Sequence, residues 1–334
     1  MKQASAPGHG EEFRDDLRRR SLPPDVVKKL TRLNSGKAAA AVLETFGVIA
    51  ASVAVALVWW HPAVILLAIV VIASRQQALF VLAHDAAHYR MFPSRAVNDA
   101  VGRLCGTLVG ISMPTYRVIH RLHHNHLYEK QDPDIALHGG YPRGKAYLLK
   151  KLLKDLSGMT AWKSYAYFFF GVPAANDELD EMSRPLDDTS PALRQAARRD
   201  RWVVAGFHLA APVAAFATGY GLEYLVLWIL PLVTVLQPIL RFRAICEHGA
   251  VTDFGSSLTA ARTNLGPRWL LWYLFPHNVN YHVEHHLYPS VPHYNLPACH
   301  REMRERGLLK GAEVRRFGET VKAVIADRPK PAAA

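Results

Sequence analysis

The stretch Asn278-Val279-Asn280-Tyr281-His282-Val283-Glu284-His285-His286 decides how the rest of the chain is read. Its histidines at 282, 285 and 286 are three and four residues apart, so on a helix their imidazoles share one side. Two earlier clusters repeat the arrangement: His84 with His88, then His120 with His123 and His124. Core packing does not account for eight clustered imidazoles, even in a chain with 17 histidines. Three such clusters point to one shared metal site. Neutral imidazole suits zinc, copper, iron or nickel, and a closed zinc site needs only four ligands. The surplus points to two metal ions.

Half of the 334 residues are hydrophobic, and they gather in two long blocks. A formal charge of +12 would suit a nucleic-acid binder, but the Lys and Arg residues flank the apolar blocks instead of forming a domain of their own. That is the positive-inside pattern of a membrane protein, with an attraction to anionic lipid heads. Cys105, Cys246 and Cys299 form no C-x-x-C pair and are odd in number, which argues against a disulfide framework. The early acidic residues Glu11, Glu12, Asp15 and Asp16, with no apolar run before Ala38, do not match a cleavable signal peptide. Insertion is expected to use internal segments.

Residues 1–37 read as a cytosolic basic arm with helical candidates at 11–20 and 24–33. The second sets Val26, Val27, Leu30 and Leu33 opposite Lys28, Lys29 and Arg32, as an interfacial helix would; a solvated basic arm is the competing reading. No Lys or Arg occurs from 38 to 74, and Trp59-Trp60-His61-Pro62 splits this block into spans at about 38–60 and 62–83. The result is a hairpin with aromatic residues at its interfacial turn. Arg75, Gln76 and Gln77 interrupt the second arm. Polar groups at that depth face protein or a water-filled cavity, so they are expected to line the approach to the site, with snorkelling of Arg75 as the alternative.

Residues 96–113 read as an interfacial or re-entrant helix. The aromatic patch at 162–170 suits a membrane surface, and the acidic run from Asp177 to Asp188 a solvated face. The second apolar block, 203–240, also lacks Lys and Arg, and Gly219-Tyr220-Gly221 splits it into spans at about 202–218 and 222–240. His208 within it reads as a packed residue. Two hairpins put both termini and every cluster on one face. The expected fold is therefore all-α and integral to the membrane, with four spans and a cytosolic helical cap carrying the histidines. The expected location is a bacterial inner membrane. The tail, 301–334, is expected to be cytosolic, with an amphipathic segment at Val314, Phe317, Val321, Val324 and Ile325.

In motif order and topology, residues 38–300 resemble the integral-membrane fatty acid desaturase and hydroxylase family. The matching motifs are HDAAH at 84–88, HRLHH at 120–124 and HVEHH at 282–286. The resemblance implies a di-iron centre (Fe2+/Fe3+) that activates O2 and removes hydrogen from an unactivated C–H bond. It implies His84, His88, His120, His123, His124, His282, His285 and His286 as catalytic iron ligands, with His248 matching a lone ninth ligand. In the acyl-CoA branch an Asn four residues before that ninth histidine holds an iron-bound water. Here Ala244 stands at that position, while Asn278, four before His282, is a candidate for a similar part. The first motif has the shorter H-x-x-x-H spacing, so an acyl-CoA substrate is not implied. The third begins with His, not the Gln common in front-end desaturases, and the chain has no cytochrome b5-like H-P-G-G stretch. A separate electron donor, ferredoxin-like or other, is implied.

Asp85, Asp132, Asp134, Glu247 and Glu284 are candidates to accept the second ring N–H of ligating histidines and fix their tautomers. Salt bridging or capping competes for each. His126 and His277 read as surface or structural residues. The leading function is desaturation of a fatty-acyl chain in a lipid or thioester. Hydroxylation, carotenoid ketolation or decarboxylation to a terminal alkene are alternatives on the same scaffold. The rival from another class is a histidine-rich metal transporter; such proteins hold their ligands near the bilayer midplane, whereas these clusters follow the spans.

Overall fold

The structure, a computed structural model, describes residues 21–129, 132–171, 186 and 189–327. The helix expected at 11–20 and the acidic run at 177–188, Leu186 excepted, lie outside the described residues. Helix α1, Pro24–Leu30, begins on prolines whose missing N–H groups would be unpaired there anyway. It buries Val26 and Leu30 against Leu296, Cys299 and Met303. Its apolar face thus meets protein, which departs from both the interfacial helix and the solvated arm.

The first apolar block folds as α2, Ser35–Val58, and α3, Pro62–Ala87. Asn34 caps α2 by accepting from the Lys37 amide at 2.9 Å, and Pro62 opens α3. Val58, Trp59, Leu66 and Leu67 around the turn are exposed, as lipid-facing side chains are. From Ile72 to Ala86, α3 is buried throughout; its polar step bonds to neighbouring segments, although Arg75 Nε and the Gln76 and Gln77 side-chain oxygens find no partner among the described residues. Arg75 donates to Glu44 at 2.8 Å and to the Trp272 carbonyl, with its guanidinium 3.7 Å from the Trp272 ring centroid. Gln76 donates to the Trp228 carbonyl at 2.9 Å, and Gln77 to the Leu274 carbonyl. These residues cross-link helices inside the protein, the condition under which such groups are tolerated at membrane depth.

Helix α4, Arg95–Leu108, lies so close to the end of α3 that a Cβ on Gly102 would sit 2.4 Å from Ala86 Cβ. Helix α5, Met113–Asn125, carries the second motif; α6, Lys145–Leu156, and α7, Ala161–Phe170, follow. Tyr167 of α7 is buried while Trp162 and Phe170 are exposed. The second block gives α8, Pro191–Ala217, and α9, Gly221–His248. Among the described residues three helices, α2, α3 and α9, are long and apolar enough to cross a membrane. The expected span at 202–218 is the second half of α8, whose first half carries Arg194, Arg198, Arg199 and Arg201. His208 packs as expected, 2.8 Å from the Thr107 carbonyl.

The molecule is mostly helical, with one departure from an all-α fold. Strand β1, Thr263–Leu265, pairs in parallel with β2, Val314–Arg316, in the register Thr263 to Val314. The described part of the expected tail therefore returns to the core, and α12 below it, Phe317–Ile325, buries Val324 against Leu148 and Ile245; α10 and α11 are His282–Leu287 and Leu296–Glu305. A buried charge explains the return. Arg262 is fully buried and needs partners: it bonds Glu313 at 2.9 Å and the carbonyls of Cys246, Gly249 and Ala250 at 3.2, 2.8 and 2.8 Å.

Removing Glu313 strands that guanidinium. Glu313→Ala is expected to destabilise the protein by about 3–5 kcal/mol, the usual cost of breaking a buried pair. Arg306→Ala, which breaks the partly exposed pair with Glu302, should change stability by less than about 1 kcal/mol. Unfolding of both purified variants in detergent, followed by denaturant titration, measures the difference.

Candidate metal centre

Four segments bring nine imidazoles together. The end of α3 supplies His84 and His88, α5 supplies His120, His123 and His124, the end of α9 supplies His248, and α10 supplies His282, His285 and His286. Helical spacing puts each set on the inward side, as the sequence implied. Just before α10 the chain reverses through His277 and Asn278, whose φ angles of 54° and 60° are left-handed; this turn aims α10 at the other three segments.

The imidazoles divide into two groups capable of holding a metal ion. His84, His88, His120, His124 and His285 form one, and His123, His248, His282 and His286 the other, with the nitrogens in each group all within 4.8 Å of one another. In the first, His120 Nε2 lies 2.8 Å from His88 Nε2 and 3.0 Å from His124 Nε2. In the second, His248 Nε2 lies 2.8 Å from His282 Nε2 and 3.2 Å from His123 Nε2. Neither nitrogen of His84 has a hydrogen-bond partner among the described residues, nor do the Nδ1 atoms of His282 and His286.

Burial sets the charge state. It pushes His88 down to about 3, helped by His84, and holds His120, His124, His282, His285 and His286 well below the usual histidine range, with neighbouring imidazoles adding to the effect. These rings are neutral and keep a lone pair available. His123 is the exception: burial opposes its charge, but Asp132 and Asp134 override it and raise the ring to about 9.

The acidic candidates divide. Asp132 accepts from His123 Nδ1 at 2.9 Å, and Asp134 stands 3.6 Å from the same nitrogen and accepts from the Tyr167 hydroxyl. Asp85 is 3.6 Å from His84 Nδ1 but accepts from His293, at 2.7 Å from the ring and 3.0 Å from the backbone amide. Glu284 accepts from His300 at 2.6 Å and from Thr263 at 2.6 Å, so its partner is none of the nine. Glu247 lies 3.3 Å from Arg243 and 3.9 Å from His282. Asn278 donates to the His293 carbonyl at 3.3 Å. His126 meets Glu129 at the surface, and His277 is half-buried against Thr45, 2.8 Å away. Arg75, Gln76 and Gln77 sit in the helix contacts described above.

Sequence reading missed His138, His293 and His300. His138 is buried, 3.6 Å from Asp132, and joins His123 and Asp132 in a third close group. No helical spacing marks it. His293 and His300 were legible only as unassigned histidines downstream of two carboxylates that needed partners.

The sequence model of the fatty acid desaturase family matches residues 14–318. A β-carotene ketolase of Paracoccus sp. (strain PC1) is 28% identical over 240 residues, covering 71% of this chain and 79% of that protein. A dihydrorhizobitoxine desaturase of Bradyrhizobium elkanii is 24% identical over 303 residues, covering 86% and 82%. An omega-3 fatty acid desaturase of the endoplasmic reticulum of Vigna radiata var. radiata is 26% identical over 244 residues, covering 66% of this chain and 59% of the plant enzyme. The family match spans all three histidine motifs, the lone His248 and the strands that brace them, and the chain belongs to the fatty acid desaturase family.

Proposed function

We propose that this chain is a membrane-bound non-haem di-iron oxidoreductase that uses O2 and electrons from a separate, ferredoxin-like donor to desaturate a fatty-acyl chain. The observation that carries this reading is the division of nine imidazoles into a group of five and a group of four. On this reading residues 38–300 form the membrane domain between the arm, 1–37, and the tail, 301–334. Helices α2, α3, the second half of α8 and α9 make two hairpins in a bacterial inner membrane, with the histidine end on the cytoplasmic, Lys- and Arg-rich side.

The donor set fits iron. His123 donates its Nδ1–H to Asp132 and His248 its Nδ1–H to the Ala260 carbonyl at 3.1 Å. Their Nε2 atoms face each other across 3.2 Å, and His123, raised to about 9 beside Asp132 and Asp134, carries a proton there that metal binding would displace. A metal ion between the rings would take a lone pair from each. Imidazole suits iron among the transition metals, and zinc has no redox chemistry to offer a C–H bond. His84, His88, His120, His124 and His285 would hold one ion, and His123, His248, His282 and His286 the other. Bound iron supplies the oxidising capacity that, with O2, takes hydrogen from an unactivated C–H bond.

The remaining work falls to the protein. Asp132 and the Ala260 carbonyl fix ring tautomers. Burial keeps most of the rings neutral, so protons do not compete for their lone pairs near pH 7. Tyr116 stacks on His120 with centroids 5.4 Å apart, and Phe168 meets both Tyr116 and Phe80; this aromatic wall excludes water and suits a hydrocarbon chain. A second reading, ketolation of a carotenoid ring, has the support of two β-carotene ketolases among the relatives, at 28% and 27% identity.

Expression in a host with a simple lipid profile, beside a His120→Ala control, tests both. A lipid lighter by two hydrogens and absent from the control is the expected product. A keto product appearing only when β-carotene is supplied would replace desaturation with the second reading, and no product in either arm would sink both. Asp132→Asn, which removes the charge that orients His123, is expected to weaken metal affinity by about 10–100-fold, measured as iron retained per chain during dialysis against a chelator.

A further inference from the structure

We propose that Tyr128 is a positioning residue for the four-histidine group, one that sets the separation of two of its rings, His123 and His248. The inference rests on the two-ion reading above and adds to it a residue outside the three motifs. Tyr128 lies four residues beyond His124, where the chain has left α5. Its backbone N–H donates to Asp132 Oδ2 at 3.0 Å, and Asp132 Oδ1 in turn accepts from His123 Nδ1 at 2.9 Å. Its hydroxyl donates to the His248 carbonyl. One residue thus bonds the supports of both rings, which meet across 3.2 Å between their Nε2 atoms.

Two features separate this residue from an ordinary turn position. The first is the end of α9. The last carbonyls of a helix have no partner within it, and those of Cys246, Glu247 and His248 are all taken from outside. Cys246 accepts from the Arg262 guanidinium and the Asn264 amide at 3.2 and 3.1 Å, Glu247 from the Arg262 backbone N–H at 2.7 Å, and His248 from Tyr128. The phenol is therefore the bond that fixes the residue bearing the ring. The second feature is the backbone of Tyr128 itself. Its φ of 65° is left-handed, a region where a bulky side chain is an outlier and glycine is at ease. Strained residues of this kind gather at ligand clamps. A turn alone would be served by glycine, which would lose the phenol.

Packing holds the phenol in place. Its ring meets His138 edge-on with centroids 5.0 Å apart and Phe254 at 4.4 Å, and the buried His138 ring lies 4.8 Å from that of His248. Both hydrogen bonds of Tyr128 go to the His123 and His248 side; neither reaches a ring of the five-histidine group. Loss of the hydroxyl therefore acts on one ion and not on the other.

The test uses the full chain, purified in detergent without metal and titrated anaerobically with Co2+, whose visible absorption counts the ions bound. Tyr128→Phe keeps the ring and the turn and removes only the hydroxyl. It is expected to bind one ion as the unaltered protein does and the other about 10–100-fold more weakly, the usual effect of losing a group that orients a ligand. Two backgrounds assign the weakened ion. In His84→Ala, whose remaining ion sits in the four-histidine group, Tyr128→Phe should show the full loss; in His282→Ala, whose remaining ion sits with the five, the change should stay within about twofold. Tyr165→Phe removes a hydroxyl bond of the same kind between α7 and α9, to the Leu232 carbonyl at 3.0 Å. It controls for a purely structural loss and should leave both ions within the same range. Unchanged affinity in Tyr128→Phe overturns the proposal, as does an equal loss at both ions or full affinity in Tyr128→Gly, which relieves the turn but lacks the phenol. An unaltered protein that binds fewer than two ions sinks the two-ion reading, and the proposal with it.

Discussion

The structure depends on keeping nine imidazoles close together with most of them uncharged, His123 being the exception. Protonated rings a few ångströms apart would repel strongly at low dielectric, so the fold buries all but His88 and His124, which are half-buried, and pushes most of the rings well below their usual range. The cost is a set of nitrogens that point at one another. His123 shows how the fold decides which end of a ring faces inward: Asp132 takes one N–H and leaves the other nitrogen toward His248.

Holding four segments to that tolerance requires bracing from outside the centre. Asp85 is locked by His293, and Glu284 by His300 and Thr263. Thr263 opens β1, which β2 covers, and Glu313 immediately before β2 neutralises Arg262 beneath the end of α9. The carboxylates between the motifs and their surroundings therefore anchor backbone as much as they orient rings. On the membrane side, Arg75, Gln76 and Gln77 grip carbonyls of the 272–274 segment and of α9. Helix α3 is thereby fixed at both the bilayer and the histidine end.

Much of this was legible in the sequence, for a physical reason. Hydrophobic blocks without Lys or Arg mark apolar helices, and the i, i+3, i+4 spacing of the histidines marks one helical face, because both are local periodicities. The lone His248 carries no spacing signal and became readable only through family resemblance, yet it sits between His123 and His282. Long-range pairing was the part that stayed hidden. Nothing near Glu284 in sequence identifies His300 as its partner, and nothing in 314–316 says that it will form a strand beside Thr263. The polar step in α3 was read as a channel because buried polar groups in a membrane must face something polar; that something is the backbone of neighbouring helices.

The centre and the substrate face of such a site are under different constraints, and this bears on what similarity between relatives can mean. On the proposed reading, two clusters of mostly neutral nitrogens fix a type of chemistry, and a change in any one ring would disturb the metal-holding set. The wall that a hydrocarbon would touch is looser: Tyr116, Phe168 and Phe80 meet by edge and stacked contacts, which tolerate exchange of one apolar shape for another. On the proposed reading, a ketolase and a desaturase could share the histidines and the four segments that carry them while differing in the residues that set where a C–H bond stops. Tyr116 is the hinge between the two regimes, because its ring stacks on His120 on one side and meets Phe168 on the other. On the proposed reading, the position of that ring couples the shape of the substrate to the geometry of the centre.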